Sequence, residues 1–151
     1  MIEIIQGGAP DVAAIMPIMR GAFDPAHGEA WTSAQCISAL SLPQNRLLLA
    51  IDGTQLAGFA LSRWVLDEEE LLMIAIAPQK QRLGSGRILL DAVVRNAKSE
   101  NRTKIFLEVR DGNDAMRFYG AIGFAEIGRR KQYYQGNNGL CFDAITMVKI
   151  L

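Results

Sequence analysis

Six residues lying between an apolar run and a helical pattern carry the most chemical spacing in the chain: Gln81-Arg82-Leu83-Gly84-Ser85-Gly86. Glycines let a backbone approach a ligand closely, and the free N–H groups of a helix start, with the local dipole, favour an anion. Phosphate is the natural guest. The turn lacks the Gly-Lys-Ser/Thr ending of a Walker A loop, and Leu89 stands where the dinucleotide fingerprint needs a third glycine. From Gln79 to Arg110 there are eight basic residues against three acidic ones, so an anion would meet a positive field. The competing readings are a plain tight turn for the glycines and a solvated helix face for each cation. Glu108 is the second signal. It alternates with Ile105, Leu107 and Val109 on a strand whose other face holds Phe106 and Arg110. A carboxylate in that company needs a reason, the bland one being a surface strand position.

The elements that must position these residues are legible in outline. Ile2 to Gln6 reads as a short strand, followed by helical spacing at Val12, Ile15, Met16, Met19 and Phe23. Pro10 suits a first turn, whereas Pro17 would kink the helix. Asp24 to Trp31 is a loop, and Thr32 with Gln35 forms a capping box that opens a helix to about Leu40, closed by Pro43. Leu47 to Ile51 and Gln55 to Trp64, joined by Asp52-Gly53, form a β-hairpin. Leu71 to Ala77, stopped by Pro78, reads as a central strand buried on both faces. After the glycine turn come a helix from about Arg87 to Lys98 and the strand Thr103 to Arg110. A short helix capped by Asn113 or Asp114 and ended by Gly123 follows, then strands near Ala125 to Arg130 and Phe142 to Lys149. The order implies a mixed sheet with helices on both faces.

Bulk composition excludes several classes. At 151 residues and 16.6 kDa, with half the residues hydrophobic, the chain is expected to form one domain over residues 1–151. Two distant cysteines, Cys36 and Cys141, and a single histidine, His27, offer no metal set, so no metal is expected. The cysteines read as core residues of a cytoplasmic protein. No apolar run approaches the roughly 20 residues that span a bilayer, and MIEIIQGGAP lacks the features of a secretory signal. Sixteen basic residues balance 16 acidic ones, leaving no global pull towards nucleic acid or membrane. The zero divides at Pro78 into nine acidic and three basic residues before it and seven acidic and 13 basic after it.

The order Ile74-Ala75-Ile76-Ala77-Pro78, Gln81-x-x-Gly84-x-Gly86, Leu107-Glu108-Val109-Arg110, Asn113, then Phe118-Tyr119-Gly120-Ala121-Ile122-Gly123-Phe124 resembles the GNAT superfamily of acyl-CoA N-acyltransferases. Leu107 to Arg110, the Tyr-to-Gly-Phe segment and Gly128-Arg129-Arg130 followed by Tyr133-Tyr134 and Asp143-Ala144 resemble its RimI-type branch, the ribosomal-protein-alanine N-acetyltransferases. The resemblance runs over roughly residues 45 to 148. It implies an α+β fold of α/β/α layers, with a mostly antiparallel sheet of six to seven strands.

The resemblance also implies roles. Ile74, Ala75 and Ile76 would pair their backbone with the pantetheine arm of acetyl-CoA, the acetyl donor, and Arg82, Leu83, Gly84, Ser85, Gly86 and Arg87 would wrap its pyrophosphate. Asn113 would hydrogen-bond the cofactor near its sulfur. Glu108 would be the general base and Tyr119 the general acid in direct attack within a ternary complex. The chemistry suits them: a protein α-amine has a pKa of about 7.7–8.0 against about 10.4 for lysine, within reach of a carboxylate acting directly or through water. Asn113 to Tyr119 is one residue shorter than in the family pattern, which would turn a helix by about 100° unless the loop absorbs it. The implied acceptor is a protein N-terminus, specifically the alanine of a small-subunit ribosomal protein, reached by a monomer or weak dimer. The acidic run Asp67 to Glu70 would attract a basic peptide, with Glu70 as a fallback base, and Trp31, Tyr133 and Tyr134 would wall the groove. Two alternatives stay open: a small-molecule amine or lysine as acceptor, and a catalytically silent acyl-CoA-binding module.

Overall fold

The computed structural model describes all 151 residues. Seven strands and four helices follow one another as β1 (Ile2–Gly7), α1 (Val12–Ala22), α2 (Ser33–Leu40), β2 (Asn45–Asp52), β3 (Gln55–Val65), β4 (Glu68–Ile76), α3 (Ser85–Ser99), β5 (Lys104–Arg110), α4 (Ala115–Ile122), β6 (Ala125–Gln135) and β7 (Cys141–Ile150). The strands form one sheet in the order β1-β2-β3-β4-β5-β7-β6. Five pairings are antiparallel and one, β4 with β5, is parallel.

Local chemistry explains most boundaries. The β2–β3 turn holds Gly53 at φ +64°, a conformation that penalises an L side chain. At the start of α2 the Thr32 hydroxyl accepts from the Gln35 N–H while the Gln35 side chain accepts from the Thr32 N–H. α1 runs on through Pro17 rather than ending there. α4 ends at Gly123, left-handed at φ +110°. β6 continues past Arg130 to Gln135, because pairing with β7 resumes beyond an irregularity between Arg130 and Tyr134. That places Tyr133 and Tyr134 on a strand.

Two apolar layers sandwich the sheet. α1 and α2 pack Val12, Ile15, Met19 and Cys36 on Leu47, Leu49, Phe59 and Leu61. α3 and α4 pack Leu89, Leu90, Val93 and Ile122 on the other face, against Leu48, Ala50, Ile105 and Leu107. β4 changes sides midway. Leu71 belongs to the α3 layer, whereas Met73 and Ala75 belong to the α1 layer. The cause is a bulge: Leu61 pairs with Met73 and Ser62 with Leu71, leaving Leu72 as the extra residue.

Candidate active site

The bulge coincides with the parting of two strands. β4 and β5 pair only from Glu68 with Lys104 to Leu71 with Leu107; beyond that, Leu72 to Ile76 keep β3 on one side and have no strand on the other. A cavity of about 850 Å³ opens there. This corrects the expectation of a strand buried on both faces. Leu71, Met73, Ala75 and Ala77 are buried, but Leu72, Ile74 and Ile76 are half-buried, because the strand's free edge forms the cavity wall.

At one end of the cavity lies the glycine turn. Arg82 and Gly84 are left-handed, at φ +62° and +86°, and Gly84 caps α3 with no side chain to satisfy the first N–H groups. Those groups, at the head of a 15-residue helix, remain free for an anion. Gln81 Nε2 donates to the Ile76 carbonyl at 3.1 Å, tying the turn to the end of β4. A Cβ on Gly86 would make ordinary contact with the Phe118 ring at 3.5 Å. Arg82, Gly84, Gly86 and Arg87 line the cavity, with Arg87 also paired to Asp91 one helical turn on. Leu83 and Ser85 do not line it: Leu83 points to solvent at 72% exposure, and Ser85 is buried at the start of α3.

At the other end β5, α4 and β6 bring the proton-carrying groups together. Glu108, Asn113 and Tyr119 all line the cavity, as do Trp31, Glu70, Tyr133 and Tyr134. The Glu108 side chain is buried. Its Oε2 accepts from the Thr146 hydroxyl at 2.7 Å, and its Oε1 lies 3.0 Å from Arg130 Nε, too poorly aligned for a hydrogen bond. One oxygen is anchored, and the other keeps an acceptor site. The Tyr134 hydroxyl donates to the Glu108 carbonyl at 3.1 Å, and burial pushes that phenol's pKa up. Burial, and then the nearby Glu29 carboxylate, likewise raise the pKa of Tyr119, which stays a protonated phenol. α4 begins at Ala115, two residues after Asn113, and both Asn113 and Tyr119 line the cavity.

One expectation changes. The acidic run on β4 is not free to attract a peptide: Glu68 pairs with Lys104, Glu69 is buried beside Arg102, Glu70 binds Arg63, and Asp67 accepts from Thr103. Asn113 is engaged within the chain, its Oδ1 accepting from the Ala115 N–H and its Nδ2 donating to Glu29. Glu29 itself went unread in the sequence. The only signal was a carboxylate in a loop rich in glycine, proline and charge, without the periodicity that identifies a strand or helix residue.

The parted β4/β5 pair, the open strand edge and the glycine turn at a helix head thus surround one cavity that Glu108 and Tyr119 also line. Residues 24–149 match the model of the acetyltransferase (GNAT) domain, and the chain belongs to that family as an N-acetyltransferase. Among its relatives, it is 39% identical over 100 residues to the ribosomal protein bS18-alanine N-acetyltransferase of Haemophilus influenzae, covering 66% of this chain and 68% of that one. It is 33% identical over 124 residues to the N-alpha-acetyltransferase RimI of Mycobacterium tuberculosis, covering 79% and 75%. The crystal structure of the ribosomal-protein-S18-alanine N-acetyltransferase from Escherichia coli superposes with a TM-score of 0.88 at 30% identity, covering 99% and 94%.

Proposed function

We propose that the 151 residues act as one domain that transfers an acetyl group from acetyl-CoA to the α-amine of a protein N-terminus, with the alanine of a small-subunit ribosomal protein as acceptor. When bound, acetyl-CoA supplies the activated thioester. The free edge of Ile74, Ala75 and Ile76 holds the pantetheine amides, as a strand would. The N–H groups at the head of α3, with Gly84, Gly86 and the Arg82 guanidinium in the cavity wall, hold the pyrophosphate. A β4 N–H near the bulge polarises the acyl oxygen.

The observation that carries the reading is that Glu108 and Tyr119 line one cavity with the free edge of β4 and the glycine turn. Glu108 has one oxygen fixed by Thr146 and the other without a hydrogen bond, which suits a base that takes a proton from the acceptor ammonium directly or through water. Tyr119 is a buried phenol, protonated at rest, that lines the same cavity and can hydrogen-bond the departing thiolate and hand it a proton. The relatives' names favour an N-terminal alanine as acceptor, and the weaker basicity of an α-amine lets a carboxylate deprotonate it.

Glu108→Gln and Tyr119→Phe should each lower kcat by about 10²- to 10⁴-fold while acetyl-CoA still binds. Steady-state acetylation of a panel of N-terminal hexapeptides, lysine peptides and polyamines, with calorimetric titration of acetyl-CoA, reads both. Turnover surviving both substitutions would remove the mechanism. Transfer to polyamines alone would move the acceptor to small molecules.

A further inference from the structure

The cavity holds a carboxylate that the mechanism above leaves idle. Glu29 lies in the loop between α1 and α2 with a side chain only 10% exposed. Its Oε1 accepts from Arg110 Nε at 3.0 Å, and its Oε2 accepts from Asn113 Nδ2 at 3.0 Å. These partners come from the end of β5 and the turn before α4, 81 and 84 residues further along the chain. His27 Nδ1 stands 3.7 Å from Oε1.

The orientation of the Asn113 amide follows from its neighbours. Oδ1 faces the Ala115 N–H at 2.9 Å, and the other end faces a carboxylate, so the oxygen must point to the helix and the nitrogen to Glu29. Reversing the amide would set oxygen against oxygen and nitrogen against N–H. Arg110 is likewise held, with Nη1 on the Asp111 carbonyl and its guanidinium 5.9 Å from the Phe142 ring. Glu29 is therefore gripped from two sides by groups that are themselves fixed. It connects the loop that carries Trp31 to the strand end that carries Glu108.

We propose that Glu29 is a positioning residue that pins the α1–α2 loop for the acceptor, with Arg110 and Asn113 as its two anchors. The proposal rests on the acetyl-transfer reading of this cavity. Releasing the loop makes the acceptor bear the cost of ordering it, which appears in acceptor KM, while the cofactor's turn and strand edge are untouched.

The test uses the full chain with Glu29→Gln, Asn113→Ala and the double variant. Acceptor KM and kcat are measured with an alanine-led hexapeptide, acetyl-CoA affinity by calorimetry, and loop order by amide hydrogen exchange over residues 24–31. Each single variant should raise acceptor KM roughly tenfold and speed exchange in the loop, and Glu29→Gln should leave acetyl-CoA affinity unchanged. The double variant should be no worse than the singles, since both break one grip. A wild-type acceptor KM in Glu29→Gln, or a loss of acetyl-CoA affinity in that variant, would overturn the proposal. Should the wild-type chain acetylate no peptide, the acceptor reading fails. Exchange still decides the clamp: faster in the variants, it stands; unchanged, it falls.

Discussion

Two carboxylates near the β4/β5 junction sit in opposite settings. Glu108 faces the cavity, whereas Glu69 is fully buried on the α3 side, 3.5 Å from Arg102 Nε and close to Ser62, Arg46 and Glu100. Arg46 and Arg102 also flank the Trp64 ring at 4.8 and 4.5 Å. Burial raises the Glu69 carboxyl above its ordinary value, with the Ser62 hydroxyl and the two guanidiniums opposing it. The folded state then keeps a proton that the unfolded chain has released, so this group's contribution is full at acid pH. It is lost as pH rises from the unfolded carboxylate's value of about 4.3 through the raised folded one. Glu69→Gln has no such proton to lose, and should gain stability relative to wild type as pH rises through that window. Urea unfolding at pH 4 and pH 7 measures this, and a difference that does not change with pH would contradict it. Glu108 was legible as an odd carboxylate in an alternating strand. Glu69 and Glu70 look alike in sequence, and only the register of β4 separates a buried group from one that lines the cavity.

At the scale of elements, two loops interlock over the acceptor side. The Asn137 N–H donates to the Pro25 carbonyl at 3.1 Å, and two glycines meet the opposing backbone. A Cβ on Gly28, left-handed at φ +70°, would overlap the carbonyl of Gln135, and one on Gly136 would overlap that of Ala26. Gly136→Ala should force the loops apart at a cost of about 1–3 kcal/mol and raise acceptor KM, while acetyl-CoA affinity holds. A thermal unfolding curve and one titration check it, and an unchanged Tm would argue that the loops are not clasped. The capping box of α2, the Asp52-Gly53 hairpin and the glycine turn were all readable, since each is set by residues within a few positions. The bulge at Leu72 was not, because it exists only against β3.

Across the whole molecule, the charge count of zero proves to be largely an internal arrangement. Several acidic residues from before Pro78 pair with basic residues from after it: Glu29 with Arg110, Asp52 with Lys80, Glu68 with Lys104 and Glu69 with Arg102. The split is therefore not two separate substrate fields. Asp67→Asn with Glu68→Gln should leave acceptor KM unchanged, and peptide kinetics at low salt would expose any attraction that survives. Arg82 has no carboxylate partner and lines the cavity, so added salt should weaken acetyl-CoA binding, as expected of a cation facing a polyanion.

The sequence by itself determined the order of elements, the glycine turn, the odd carboxylate on β5 and the phenol on α4. Each of these is a local pattern, governed by periodicity, caps and glycine conformations between near neighbours. Tertiary structure decided where β4 and β5 part, which face β4 presents after its bulge, which carboxylates are neutralised, and that Glu29 meets Arg110 and Asn113. Those outcomes depend on contacts between residues tens of positions apart, where burial and pairing are settled by packing and no short-range pattern records the partner.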